Sequence, residues 1–255
     1  MTAFIRTPPR FQNAPRSLFA ALLLAAAPLA AAQKPQLDDA DMIQRLAACA
    51  ACHGERGEGA PGAEYYPHLA AKPAGYLFAQ MQGFRDGRRH YPQMVYLMRN
   101  WDDAWLARIA VFYAEQALVP PTHAASTPLQ GQALARARQL VHDGDPASGQ
   151  PACAACHGPT LAGMEPGIPA LAGLPTDYLI AQLGGWLTGA RHSLAPDCMA
   201  EVVGHLRDGD IRLVSTYLSG LPVAAEDRPA PAESWPLPLA CGGTGHFDPQ
   251  TGVTP

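Results

Sequence analysis

Two short runs hold the side chains with most to offer chemically. Cys49-Ala50-Ala51-Cys52-His53-Gly54 recurs as Cys153-Ala154-Ala155-Cys156-His157-Gly158, 104 residues further on. On a helical turn, positions i, i+3 and i+4 share one face, so two thiols and an imidazole project together from each run. That set suits covalent capture of a haem. The thiols reach its two vinyl groups, the histidine turns toward the iron, and Gly54 or Gly158 lets the chain leave the turn. A thioredoxin-like redox pair needs a strand before its helix, and a zinc ribbon spaces its pairs about 15 to 20 residues apart. The sequence meets neither condition, and a histidine trails both pairs.

An electron-transfer haem usually takes a second axial ligand, and a methionine thioether favours ferrous iron and raises the potential. Met94 lies 41 residues after His53 and Met199 lies 42 after His157, whereas Met98 and Met164 break that equivalence. Met94 and Met199 are therefore the candidates, with Met98 as the rival of the first. Core filling is the competing role for any of them.

Around these residues the sequence repeats at an offset of 102: Leu69-Ala70 with Leu171-Ala172, Tyr76-Leu77 with Tyr178-Leu179, Ala79-Gln80 with Ala181-Gln182, and Arg89-His90 with Arg191-His192. Arg89 and Arg191 suit a haem propionate, or are solvated surface residues. Pro67 and Pro169 either aim a carbonyl at the imidazole N–H or simply form turns. His68, His90, His192 and His205 read as surface or hydrogen-bonded residues, and Tyr76 and Tyr178 as core. Cys198 and Cys241 remain. Pairing them would pin the tail, while a Cys198 thiolate in place of Met199 would point to sulfur-compound oxidation.

The elements that must carry these groups are helical. Met42, Ile43, Leu46 and Ala50 follow a 3.6-residue period, as do Leu134, Ala137, Leu140 and Val141. Middle helices are expected at Tyr76 to Phe84 and Tyr178 to Trp186. Asp102 or Asp103 can cap a helix bearing Leu106, Ile109, Phe112 and Tyr113, and Asp208 or Asp210 one bearing Ile211, Val214 and Leu218. No alternating strand pattern competes. The chain divides into 1–32, a signal peptide; 33–120, a first domain; 121–128, a Pro-rich linker; 129–222, a second domain; and 223–255, a Pro-rich tail.

A length of 255 residues suits two domains, and 48% hydrophobic against 16% charged residues describes a folded chain. Arg6, Arg10 and Arg16 before the apolar run from Leu18 to Leu29 read as an export signal, cleaved before Gln33. Its uncharged stretch, Ser17 to Ala32, is too short to span a bilayer comfortably. Removal of the three arginines takes the net charge from −4 to −7. Such a surface has no footprint for nucleic acid and would steer toward a basic patch on a partner.

The tandem CAACHG runs, the segments PHLAAKPAGYLFAQMQGFRDGRRHYPQM and PALAGLPTDYLIAQLGGWLTGARHSLAPDCM, and the acid-capped helix after them resemble the dihaem class I cytochromes c, specifically the cytochrome c4 family, over about residues 38 to 222. The resemblance implies an all-α fold of two tandem class I cytochrome c domains related by an approximate two-fold. It implies two covalently bound haem c groups, one on Cys49, Cys52, His53 and Met94, the other on Cys153, Cys156, His157 and Met199. It further implies a periplasmic carrier, soluble or membrane-associated, exchanging electrons with an oxidase or dehydrogenase and taking no small-molecule substrate. The second unit departs by three extra residues between Arg191 and Met199 and by Cys198, the first by Trp101. Two other readings stay open: a dihaem enzyme, either thiosulfate-oxidising through Cys198 or a peroxidase with an open iron, and a dehydrogenase subunit docked by its tail from Pro222 to Pro255.

Overall fold

The computed structural model describes Thr2 and residues 39–60, 66–120 and 127–252. Apart from Thr2, the expected signal peptide lies outside that range, as does most of the linker. Every regular element among the described residues is helical, and β pairing is confined to isolated bridges. No helix there is long and apolar enough to cross a membrane.

The first repeat runs α1 (Asp39–Arg45), α2 (Ala47–His53), α3 (Ala74–Arg85), α4 (Pro92–Met98) and α5 (Asp103–Glu115). The second runs α6 (Gly131–Arg138) into a π-turn (Gln139–Asp143), then α7 (Cys153–His157), α8 (Thr176–Leu187), α9 (Cys198–Gly204) and α10 (Asp210–Ser219). Thus α2 and α7 carry the cysteine motifs, and α4 and α9 carry Met94 and Met199. The middle helices α3 and α8 pack across α5 and α10 respectively. They extend the expected spans by two residues before the tyrosine and one after the last expected residue.

Each repeat buries its own stripe. In the first, Met42, Leu46, Phe78, Phe84, Leu106, Ile109, Phe112 and Tyr113 meet in one cluster. In the second, Leu140, Val141, Leu174, Tyr178, Leu179, Val214 and Leu218 do the same. Burial of side chains this large contributes about 1.5–3 kcal/mol each relative to exposure, which is what turns marginal short helices into a fixed frame.

The caps split. Asp102 caps α5 as expected, its carboxylate accepting from the Trp105 N–H at 2.8 Å. At α10 neither Asp208 nor Asp210 stands at the cap. Gly209 does, with φ +86°, and Asp210 is the first helical residue. Its carboxylate is held instead by the Arg136 guanidinium at 2.8 Å and the Arg207 N–H at 3.1 Å. A partner arriving from α6 outcompetes the local capping geometry.

The tail folds back over its own chain. Ala230 exchanges backbone hydrogen bonds with Gly163 and Glu165, Cys241 forms a disulfide with Cys198, and Phe247 stacks against Phe78 at 5.5 Å. Trp235 donates its indole N–H to the Cys156 carbonyl at 3.2 Å.

Candidate functional site

The cysteine turns are built alike. In each, the helix ends at the histidine, and a glycine at φ +81° (Gly54) or +85° (Gly158) turns the chain away. The next loop returns so that its proline carbonyl accepts from the imidazole: His53 Nδ1–H donates to Pro67 at 2.8 Å, and His157 Nδ1–H to Pro169 at 2.8 Å. A carbonyl can only accept, so the proton sits on Nδ1 and the Nε2 lone pair is left for a metal. Burial pushes both imidazoles below their ordinary range, opposed by those carbonyls, and keeps them neutral, the form that ligates.

The thiols differ in depth. Burial pushes Cys153 up to about 12, and it raises Cys49 and Cys156 as well. Those three and Cys52 are thiols in the structure, and Cys198 is not. Its sulfur is committed to Cys241, which removes the thiolate-ligand alternative.

In the second repeat, Cys156, His157 and Met199 line one open cleft. Helix α9 is fixed there by Asp197, whose carboxylate accepts from the Ala200 N–H at 3.1 Å, the Ser193 N–H at 2.7 Å and the Trp186 indole at 3.2 Å. In the first repeat, Met94 and Cys49 lie partly buried against the same cluster. Met98, the rival, is 2% exposed inside it and packs between helices. Met164 is buried where Gly163 and Ile168 meet the tail.

Where the repeats meet, a polar network obeys the 102-residue offset. The His90 N–H donates to Ala190 and the His192 N–H to Arg88. Arg89 donates to Gln80 at 3.1 Å and to Gln182, while Arg191 donates to Gln182 at 2.8 Å and Gln80 at 2.9 Å. Arg89 also reaches the Tyr178 hydroxyl at 3.4 Å. Each arginine therefore bridges its own glutamine and the other repeat's, as an approximate two-fold requires. Arg191 is buried and Arg89 half-buried, so neither is a freely solvated surface residue. The repeat marked the glutamines by their 102-residue spacing but gave them no role, and nothing in the sequence singled out Lys72, Asp197 or Trp235.

The cleft reaches this junction. Lys72, Arg88, Arg89 and Arg191 line it, and among the described residues no carboxylate does. An apolar cleft lined by a carbonyl-oriented imidazole and by cations, with no carboxylate of its own, suits a haem, which is apolar across its face and carries two carboxylates. The residues present fit the group.

A family model described as cytochrome c matches residues 40–110. The chain is 34% identical over 179 residues to cytochrome c4 of Pseudomonas aeruginosa, covering 69% of this chain and 85% of that protein. It is 34% identical over 178 residues to the thiosulfate dehydrogenase electron acceptor of Thiomonas intermedia, covering 70% and 80%. Its fold matches reduced recombinant cytochrome c4 from Pseudomonas stutzeri with a TM-score of 0.60 and 27% identity, over 73% of this chain and all of that one. It also matches the thiosulfate dehydrogenase of Marichromatium purpuratum with a TM-score of 0.60 and 34% identity, over 74% of this chain but 40% of that one.

Proposed function

Because this chain belongs to the cytochrome c4 family, and so is an electron-transfer protein with covalently bound haem c, we propose that it carries two haems, one per repeat, and works as a periplasmic carrier. The domains follow the repeats, 33–120 and 129–222. Cys49, Cys52, His53 and Met94 hold the first group, and Cys153, Cys156, His157 and Met199 the second. When bound, haem c supplies the one-electron couple of its iron.

The chain's own residues do the rest. Pro67 and Pro169 fix the imidazole tautomer, which also raises the ligand's basicity. Asp197 holds α9 so that Met199 faces the cleft. Arg89 and Arg191 neutralise propionates at the junction. The observation that carries the reading is the pair of 2.8 Å bonds from His53 and His157 to Pro67 and Pro169. It repeats at both motifs and leaves both Nε2 atoms unprotonated.

The partner is a redox protein, a dehydrogenase or an oxidase. Relatives named as electron acceptors of thiosulfate dehydrogenase favour the dehydrogenase side. Pyridine haemochrome of protein matured in a competent host should count two haems per chain, and one after Cys153→Ser with Cys156→Ser. Met94→Ala and Met199→Ala should each remove part of the red-edge band of Met-ligated ferric haem. A colourless acid-acetone residue, or a band intact in both variants, refutes the assignment.

A further inference from the structure

Two cations lining the cleft, Lys72 and Arg88, have no counterpart in the second repeat, where the 102-residue offset reaches Leu174 and Ala190. Arg89 and Arg191, by contrast, exchange places under the approximate two-fold. Lys72 is 5% exposed and lines the cleft beside Tyr76, Arg89 and Arg191. Arg88 has Asp86 as its partner at 3.2 Å, whereas Lys72 faces no carboxylate among the residues lining the cleft. Beside the two arginines, the Tyr76 phenol and the His68 imidazole interact with it electrostatically. A buried ammonium without an anion is costly, and burial accordingly pulls Lys72 down to about 8.

Resting on the two-haem reading, we propose that Lys72 is a positioning residue for the haems: its ammonium holds a propionate at the junction and makes the two haems electrostatically unequal. The symmetric arginines treat both haems alike. Lys72 adds its charge from one side only. A fixed positive charge favours the ferrous state over the ferric state, which carries one more positive charge, and so raises the potential of the haem it serves.

The test uses the intact holoprotein. Lys72→Met keeps the apolar stem and removes the charge; Lys72→Gln removes the same charge if the first variant does not accumulate. Both should keep two haems per chain by haemochrome. Spectroelectrochemical titration should then show one of the two potentials falling by about 59 mV, a tenfold loss in a one-electron reduction constant. The other should move less than half as far, and Lys72→Arg should restore the first. Two haems with potentials that stay put, or fall together, overturn the proposal and leave the two-haem reading standing. A wild-type haem count other than two overturns that reading, and the proposal with it.

Discussion

The two repeats share one motif and one helix order, yet they are held together by different forces. The first buries 13 residues in its described apolar cluster, rich in aromatic and methionine side chains, and the second buries 9. Both repeats have ion pairs, Arg85 with Asp103 at 2.7 Å in the first, but those of the second centre on buried carboxylates and are joined by a disulfide. Arg136 bonds Asp145 at 2.8 Å and Asp210 at 2.8 Å, Arg207 adds a contact to Asp145 at 3.1 Å, and the Cys198–Cys241 disulfide and Trp235 fasten the tail. The methionine helices show the same contrast. Helix α4 starts at Pro92 without a side-chain cap, whereas α9 has Asp197 before it and the disulfide on its first residue. A duplicated fold can thus keep its site geometry while exchanging the means that maintain it.

That contrast can be broken from either side. Leu106→Ala, at a fully buried position of the first cluster, should destabilise by about 2–5 kcal/mol in denaturant titration. Hydrogen exchange should place the loss in α3 and α5. An equal loss of protection in α8 and α10 would mean that the repeats do not have separate cores. Cys198→Ser with Cys241→Ser should cost about 2–4 kcal/mol, with faster exchange confined to α9 and the tail. Trp235→Phe removes one hydrogen bond and should cost about 0.5–1.5 kcal/mol, read from the same exchange map around Cys156.

The charge cluster gives a smaller effect with a defined pH dependence. Hydrogen bonds from Arg136 hold the Asp145 and Asp210 carboxyls below the ordinary carboxylate range. A depressed folded pKa contributes stability that is present above the unfolded value of about 3.9 and lost as pH falls through the folded one. Asp210→Asn should therefore lower Tm at neutral pH, and the gap to wild type should close on acidification. A gap that widens in acid would contradict the sign.

Much of the site was legible in the sequence because its signals are local. The cysteine turns, the 102-residue spacing and the tail-pinning disulfide all stand in the structure as the sequence suggested. The cap of α10 did not, since Asp210 answers to Arg136, 74 residues away. The course of the tail was hidden for the same reason: its length was visible, but not the surface that receives it. Repeat spacing favoured Met94 over Met98 as the ligand candidate, but that Met98 fills the core while Met94, one helical turn away on α4, only borders it is a matter of packing.

By itself, the sequence determined that two helical units would each present two thiols and an imidazole on one turn, since positions on a helix are fixed by 3.6-residue geometry alone. Tertiary structure decided how the units face each other. Arg191 reaches Gln80 across 111 residues, and Lys72 meets both arginines in one cleft. Such contacts depend on the docking of two surfaces, and no local rule of chain geometry specifies that.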